Sequence, residues 1–189
     1  RSWCDWSSDV CSSDLFEKIK PIIYTANNLN SNHYLCIIPK NNYKSVNLFL
    51  KNELIFSYST VIDSSIIDTL KYNKLTNKMD KLFAKSRFLQ YNIYYFYYLK
   101  SRLTLIQTIK DKTDSIDSIY LNMNWLEREN SEMYNINYIN KLDNRSLLLD
   151  YSRNEFPMLK DFPCEGYEEI YFDFFENKVN YVKNEFIEL

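Results

Sequence analysis

Two runs of β-branched and aromatic residues, at 88–99 and 103–109, are separated only by Lys100, Ser101 and Arg102. So short a link suits neighbouring antiparallel strands, which commits the middle of the chain to a hairpin. Along the first run Tyr91, Ile93, Tyr95 and Tyr97 fall on one face and Tyr94, Phe96 and Tyr98 on the other, predicting a strand covered on both sides. An aromatic stripe of this kind reads as core rather than as a ligand platform.

The segments around the hairpin supply the rest of a layer. Residues 34–38 form an apolar run stopped by Pro39, read as a strand. Residues 41–52 place Val46, Phe49 and Leu50 on one helical face, with Lys51 in the last turn. Residues 55–62 alternate as a strand does, and Asp63, Ser64 and Ser65 read as the polar link after it. Residues 71–81, charged and Asn-rich, read as a loop or lid. Upstream, Phe16, Ile19, Ile22 and Ile23 suggest a helix over 16–29 that Pro21 interrupts or begins. Past Asp114 and Ser115, both candidate caps, apolar positions 116, 119, 120 and 123 recur at helical spacing through Leu126 to Met133 and Tyr134. This predicts one broken helix or two consecutive ones. Beyond Asn140 the periodicity fades, Pro157 and Pro163 appear, and no second core can form. The expected fold is therefore α+β: a small mixed sheet with helices packed on one side, occupying residues 16–140, and an extended C-terminal arm over 141–189.

Composition narrows the function. Lys and Arg number 23 against 25 Asp and Glu, so the broad positive field of a nonspecific nucleic-acid binder is missing. No run approaches the ~20 apolar residues of a membrane-spanning helix. The lone glycine, Gly166, rules out a glycine-rich phosphate loop. Cys4, Cys11, Cys36 and Cys164 form no paired metal-binding spacing, and His33 has no Asp or Cys neighbour, so no metal ligand is assigned. Residues 1–15 lack the Asn, Ile, Lys and Tyr bias that begins at Phe16. Their string from Asp5 to Leu15 resembles a translated sequencing-library adapter, so this segment is expected to be disordered and to lie outside the fold.

The most informative stretch runs from Trp125 to Tyr134, Trp-Leu-Glu-Arg-Glu-Asn-Ser-Glu-Met-Tyr, followed by Lys141, Arg145, Leu147 and Leu148. A second block is Lys160-Asp161-Phe162-Pro163, then Gly166, Tyr167 and Glu169. In this order the two blocks resemble the signature of the thirty-kilodalton subunit of respiratory complex I, the proton-pumping NADH:quinone oxidoreductase. Asn135 stands where that family usually has glycine. Asn is the next most tolerant of a left-handed backbone, so the helix is expected to close there. Ser152 and Glu155 replace common glycines, and Phe156 and Leu159 replace His and Arg, so the family's quinone-side loop is not carried over to these positions.

The resemblance implies a non-catalytic core subunit of the peripheral arm, on the matrix side of the mitochondrial inner membrane, reaching the membrane only through the complex. It implies the forty-nine-kilodalton subunit as chief partner, and no cofactor held by this chain, with FMN and iron–sulfur clusters in other subunits. Glu127, Arg128, Glu129 and Glu132 are then expected to form an internal or interface charge network. Arg128 and Glu132, like Asn124 and Arg128, are spaced for intrahelical pairing. Lys160, Asp161, Phe162 and Pro163 are expected to act as a docking clip, Phe162 buried as anchor and the two charges at the rim. Phe172, Phe174, Val179 and Tyr181 would wrap a neighbour. On a helix Glu127 and Glu129 point about 200° apart, a poor fit to a carboxylate-pair hydrolase. The rival function is a free-standing module stacking its tyrosines on single-stranded nucleic acid, which needs a positive groove that the composition does not supply.

Overall fold

A computed structural model describes residues 25–30, 33–53, 56–70, 86–151 and 155–184. The expectations for residues 1–15, 16–24 and 71–81 lie outside these, as does Ser152. The hairpin at the middle of the chain is present as β4 (Phe88–Phe96) and β5 (Ser101–Ile109). Around it stand β1 (Thr25–Asn30), β2 (His33–Ile38) and β3 (Ser59–Asp68), in the order β1-β2-β5-β4-β3. The β2–β5 pair is parallel and the others antiparallel, so the sheet is mixed. Between β2 and β3 runs α1 (Tyr43–Asn52), which buries Tyr43, Val46 and Leu50. After β5, the short strands β6 (Lys112–Asp114) and β7 (Asn137–Ile139) pair in parallel on either side of α2 (Met123–Tyr134). The architecture is the α+β layer that the sequence predicts.

Four local expectations are corrected. The stretch 25–29, where the possible helix over 16–29 was expected to end, belongs to β1, paired with β2. The third strand starts later than predicted and contains Asp63, Ser64 and Ser65 rather than ending before them. A bulge between Val61 and Asp63 explains this, because one extra residue resets the in-out alternation. Val61 and Ser64 both point inward while Ile62 is exposed. β3 is also an edge strand, and α2 shields that edge: Asn130 Nδ2 donates to the Ser64 carbonyl (3.0 Å) and Asn122 Nδ2 to the Val61 carbonyl.

Likewise β4 is covered well on one face only. Phe88, Gln90, Asn92, Tyr94 and Phe96 are buried, whereas Tyr91, Ile93 and Tyr95 are half-buried and Tyr97 and Tyr98 are exposed past the strand end. The buried amides are admitted because each has a partner. Asn92 Nδ2 donates to the Tyr43 hydroxyl (2.6 Å), Gln107 Nε2 to Gln90 Oε1 (2.8 Å) and Gln90 Nε2 to Ser64 Oγ (3.2 Å). Finally, a single helix replaces the broken pair. Residues 116–122 form tight turns, in which the amides of Ile119 and Tyr120 donate to the Ile116 carbonyl, and α2 begins at Met123. Ser115 caps these turns rather than a helix: its hydroxyl oxygen accepts from the Asp117 amide (3.3 Å) while its hydrogen goes to Glu127 (2.6 Å). At the other end Asn135 adopts φ 56°, ψ 41°, the left-handed closure that the sequence predicts.

The main core gathers Tyr43, Val46, Leu50, Tyr94, Phe96, Leu103, Ile116 and Met123 between sheet and helices. A smaller cluster joins Ile66, Phe88 and Ile109 to Tyr134, Ile136 and Tyr138, with Leu159 packed against it. From Leu142 onward the chain runs over the surface to a separate hairpin, β8 (Glu168–Asp173) and β9 (Lys178–Lys183).

Candidate assembly surface

Helix α2 carries the charged motif, and its acids point in different directions. Glu127 faces inward and is fully buried. Its carboxylate accepts from the Ser115 hydroxyl (2.6 Å), the Ile116 amide (2.8 Å) and Lys141 Nζ (3.1 Å). The Lys141 side chain is itself buried, with Asp117 3.6 Å away. Burial pushes the Glu127 carboxyl up, opposed by those three donors.

Arg128 and Glu132 do not close on each other as their spacing suggested; both reach to the chain after β7. Arg128 donates from Nε to the Arg145 carbonyl (2.8 Å) and from a terminal nitrogen to the Ser146 carbonyl (3.0 Å), with Asp143 3.6 Å away. Glu132 receives the consecutive amides of Leu147, Leu148 and Leu149, at 2.8–3.3 Å. Burial works to raise its pKa, but these amides outweigh it and hold the carboxyl below its usual range. Three successive N–H groups converging on one carboxylate make a backbone nest. Glu132 thereby fixes the shape of 147–149. Leu142 is wholly exposed, and Leu148, Tyr151, Leu121 and Trp125 are exposed too. Glu129 joins none of this; it is exposed on another side of α2.

The second predicted block fastens the arm to the sheet. Arg87, just before β4, bridges Asp68 at the end of β3 (2.7 Å) and Asp161. The Lys160 amide also donates to Asp68 (3.1 Å). The Arg87 guanidinium holds Asp161 below the usual carboxylate range. At Asp68, burial pulls upward but Arg87 and the amides of Leu70 and Lys160 prevail, so its carboxyl is lowered too. Phe162 is half-buried, edge-on to Tyr167 at 5.1 Å, and Pro163 accepts from the Gly166 amide (3.1 Å), closing a turn in which Gly166 has φ 74°. Sequence reasoning missed Arg87 and Asp68, since no local spacing ties them to residues 74 and 92 positions on.

The β8–β9 register sorts its residues cleanly. Ile170 faces Tyr181 and Phe172 faces Val179, while Tyr171 pairs with Asn180 and Asp173 with Lys178. Because strand side chains alternate, Ile170, Phe172, Val179 and Tyr181 share one face, with the Glu168–Lys183 pair at its end, and Glu169, Tyr171, Asp173, Lys178, Asn180 and Val182 share the other. The four residues of the apolar face remain 58, 47, 55 and 56% exposed in that order. Phe174, expected among them, lies in the turn, edge-on to Phe172. Ile170 was not singled out from sequence, although the same alternation marks it.

His33 and the described cysteines have ordinary roles. His33 Nε2 is 2.8 Å from Thr104 Oγ1. Cys36 is buried, with its thiol pushed up to about 12 by burial, and Cys164 is exposed. Among the described residues no group of three or more His, Cys, Asp or Glu side chains is placed to hold a metal ion.

The family described as respiratory-chain NADH dehydrogenase, 30 Kd subunit, matches residues 36–168. The chain is 35% identical to NADH-ubiquinone oxidoreductase subunit 9 of Paramecium primaurelia, over 92% of this chain and 83% of that protein. It is 29% identical to the protein of the same name from Acanthamoeba castellanii, over 89% of this chain and 78% of that one. Two solved structures share the fold at low identity. A trypsin-resistant fragment of Nqo5, residues 1–134, has a TM-score of 0.56 at 15% identity, covering 70% of this chain and 98% of the fragment. A chain of the membrane-bound sulfane sulfur reductase, an archaeal respiratory membrane complex, has a TM-score of 0.63 at 13% identity, covering 82% and 85%.

Proposed function

Because the chain belongs to the 30 kDa subunit family of the respiratory-chain NADH dehydrogenase, we propose that it is a non-catalytic assembly subunit of that complex, docked through its C-terminal arm. The forty-nine-kilodalton subunit is the proposed principal partner, with flavin and iron–sulfur clusters held by other subunits. The chain would lie peripherally on the matrix side of the mitochondrial inner membrane. No described helix is long and apolar enough to cross a membrane, in keeping with attachment through the complex.

The observation that carries this reading is the amphipathic β8–β9 hairpin. An isolated two-stranded hairpin is marginal in water, so one with four apolar side chains half-exposed on a single face calls for a surface to cover them. Its opposite face is the more polar one, carrying Glu169, Asp173, Lys178 and Asn180 beside Tyr171 and Val182. Leu121, Trp125, Leu142 and Leu148 are further exposed apolar side chains of the kind that anchors interfaces.

The test is affinity purification of the tagged full chain from its own cells. Wild type is expected to bring down NADH dehydrogenase activity and its subunits in a salt-insensitive manner. Phe172→Asp with Tyr181→Asp should abolish that co-purification while the separate chain keeps its thermal midpoint. Undiminished incorporation of the double variant would remove the hairpin from the docking surface.

A further inference from the structure

A cavity of about 290 Å³ lies between β3, α2 and the arm, bounded by Asp63, Ser65, Tyr91, Glu129, Met133, Tyr134 and Met158. We propose that it is a socket for one arginine side chain presented by a neighbouring polypeptide of the complex. This rests on the docking proposed above and names a contact separate from the hairpin.

Its lining has three properties that together select such a group. First, it holds two carboxylates, Asp63 and Glu129, and no cation. Among the described residues the ion pairs engage Asp68, Asp117, Glu127, Asp143, Asp161 and Glu176 as acids, and pair neither Asp63 nor Glu129 with a cation. Among the described residues the Asp63 carboxylate accepts from the adjacent Ser64 amide, at 2.8 Å. Second, the rings of Tyr91 and Tyr134 border the same space, and aromatic faces attract a planar guanidinium. Third, the thioethers of Met133 and Met158 give an adaptable apolar wall for an aliphatic stem. A small metal ion would leave most of this volume empty and the rings unused. An apolar side chain would strand two carboxylates.

The arm completes the socket. The Met158 amide donates to the Met133 carbonyl at 3.3 Å, and two residues later the chain is pinned to Asp68 and Arg87. The fastened arm thus supplies one wall of the site, Met158. The family motif contributes Glu129, the one acid in it with no role inside the fold.

The test uses full-length chain with isotope-labelled methionine methyl groups and two probes, N-acetyl-arginine methylamide and its neutral isostere N-acetyl-citrulline methylamide. The arginine probe is expected to shift the Met133 and Met158 methyl signals saturably, and citrulline to leave them unmoved. Asp63→Asn with Glu129→Gln, neither residue being in the core, should weaken arginine binding about tenfold or more, in line with the coupling of close charge pairs. Shifts of equal size with both probes, or none with either, would overturn the socket. In the native complex the same double variant should still assemble through the hairpin but dissociate at lower salt; unchanged salt resistance counts against the proposal. Failure of the wild-type chain to enter the complex at all, with arginine still binding, would sink the docking reading and with it the complex as the source of the arginine, while the arginine-selective cavity itself would remain.

Discussion

Helix α2 with the loop it holds, and the β8–β9 hairpin, are opposite cases of how a chain treats groups that need partners. Around α2 the charged groups are satisfied from within: Glu127 by Ser115, Ile116 and Lys141, Arg128 by backbone carbonyls, Glu132 by three amides. In the hairpin, by contrast, Ile170, Phe172, Val179 and Tyr181 share one face and each stays about half-exposed. The signature that identifies the family is thus chiefly architectural, and the segment with the weaker signature carries the unmet demand. Charge in a motif does not by itself mark an interface. An uncovered apolar face on a structure too small to stand alone does.

The sharpest way to break this contrast is at Glu127 and Lys141. If the pair is internal architecture, Lys141→Met leaves a buried carboxylate without its cation and should cost about 3–5 kcal/mol. Denaturant unfolding of the separate chain would show it as a lower midpoint. Combining Lys141→Met with Glu127→Gln should recover part of the loss, because no uncompensated charge stays inside. A single variant with an unchanged midpoint but poor incorporation would move the pair to the interface.

Glu132 offers a smaller and more local effect. Glu132→Gln replaces a charged acceptor by a weaker one for three amides, costing about 1–3 kcal/mol. Its mark should be faster hydrogen exchange at Leu147, Leu148 and Leu149, while amides of β4 and β5 keep their protection. Incorporation should fall with it, since the nest shapes the segment beside Leu142 and Leu148. Faster exchange with normal incorporation would confine docking to the hairpin.

What the sequence disclosed follows the same division. The β4–β5 hairpin, α1 and the left-handed Asn135 were legible because each rests on local spacing or on one residue's backbone preference. The third strand was misplaced because a bulge is a tertiary adjustment, and Ser64 is buried only because Asn130 and Gln90 reach it. At the site, the motif residues could be named but not their partners. Nothing local says that Glu127 would find Ser115, or that Arg128 would prefer the carbonyls of 145 and 146 to Glu132. The Arg87 bridge, joining ends of three distant segments, left no trace in any window.

That bridge gives the mildest prediction, and it places the arm between the two extremes. Asp68 and Asp161 both titrate below the usual carboxylate range of about 4, so the favourable contribution of the clip is present above that pH. It is lost as the pH falls through the lowered values. Glu127 runs the other way, its raised carboxyl favouring the fold most at low pH and less as the pH rises through it. Acidification should therefore release 158–161 before the sheet opens. The Met158 methyl signal would move toward its unfolded position below about pH 4, while β4 and β5 amides remain protected. Arg87→Gln should bring that release to neutral pH and flatten its pH dependence. If Met158 and the sheet amides let go together in acid, the arm is part of the same cooperative unit as α2, and only the hairpin stands apart.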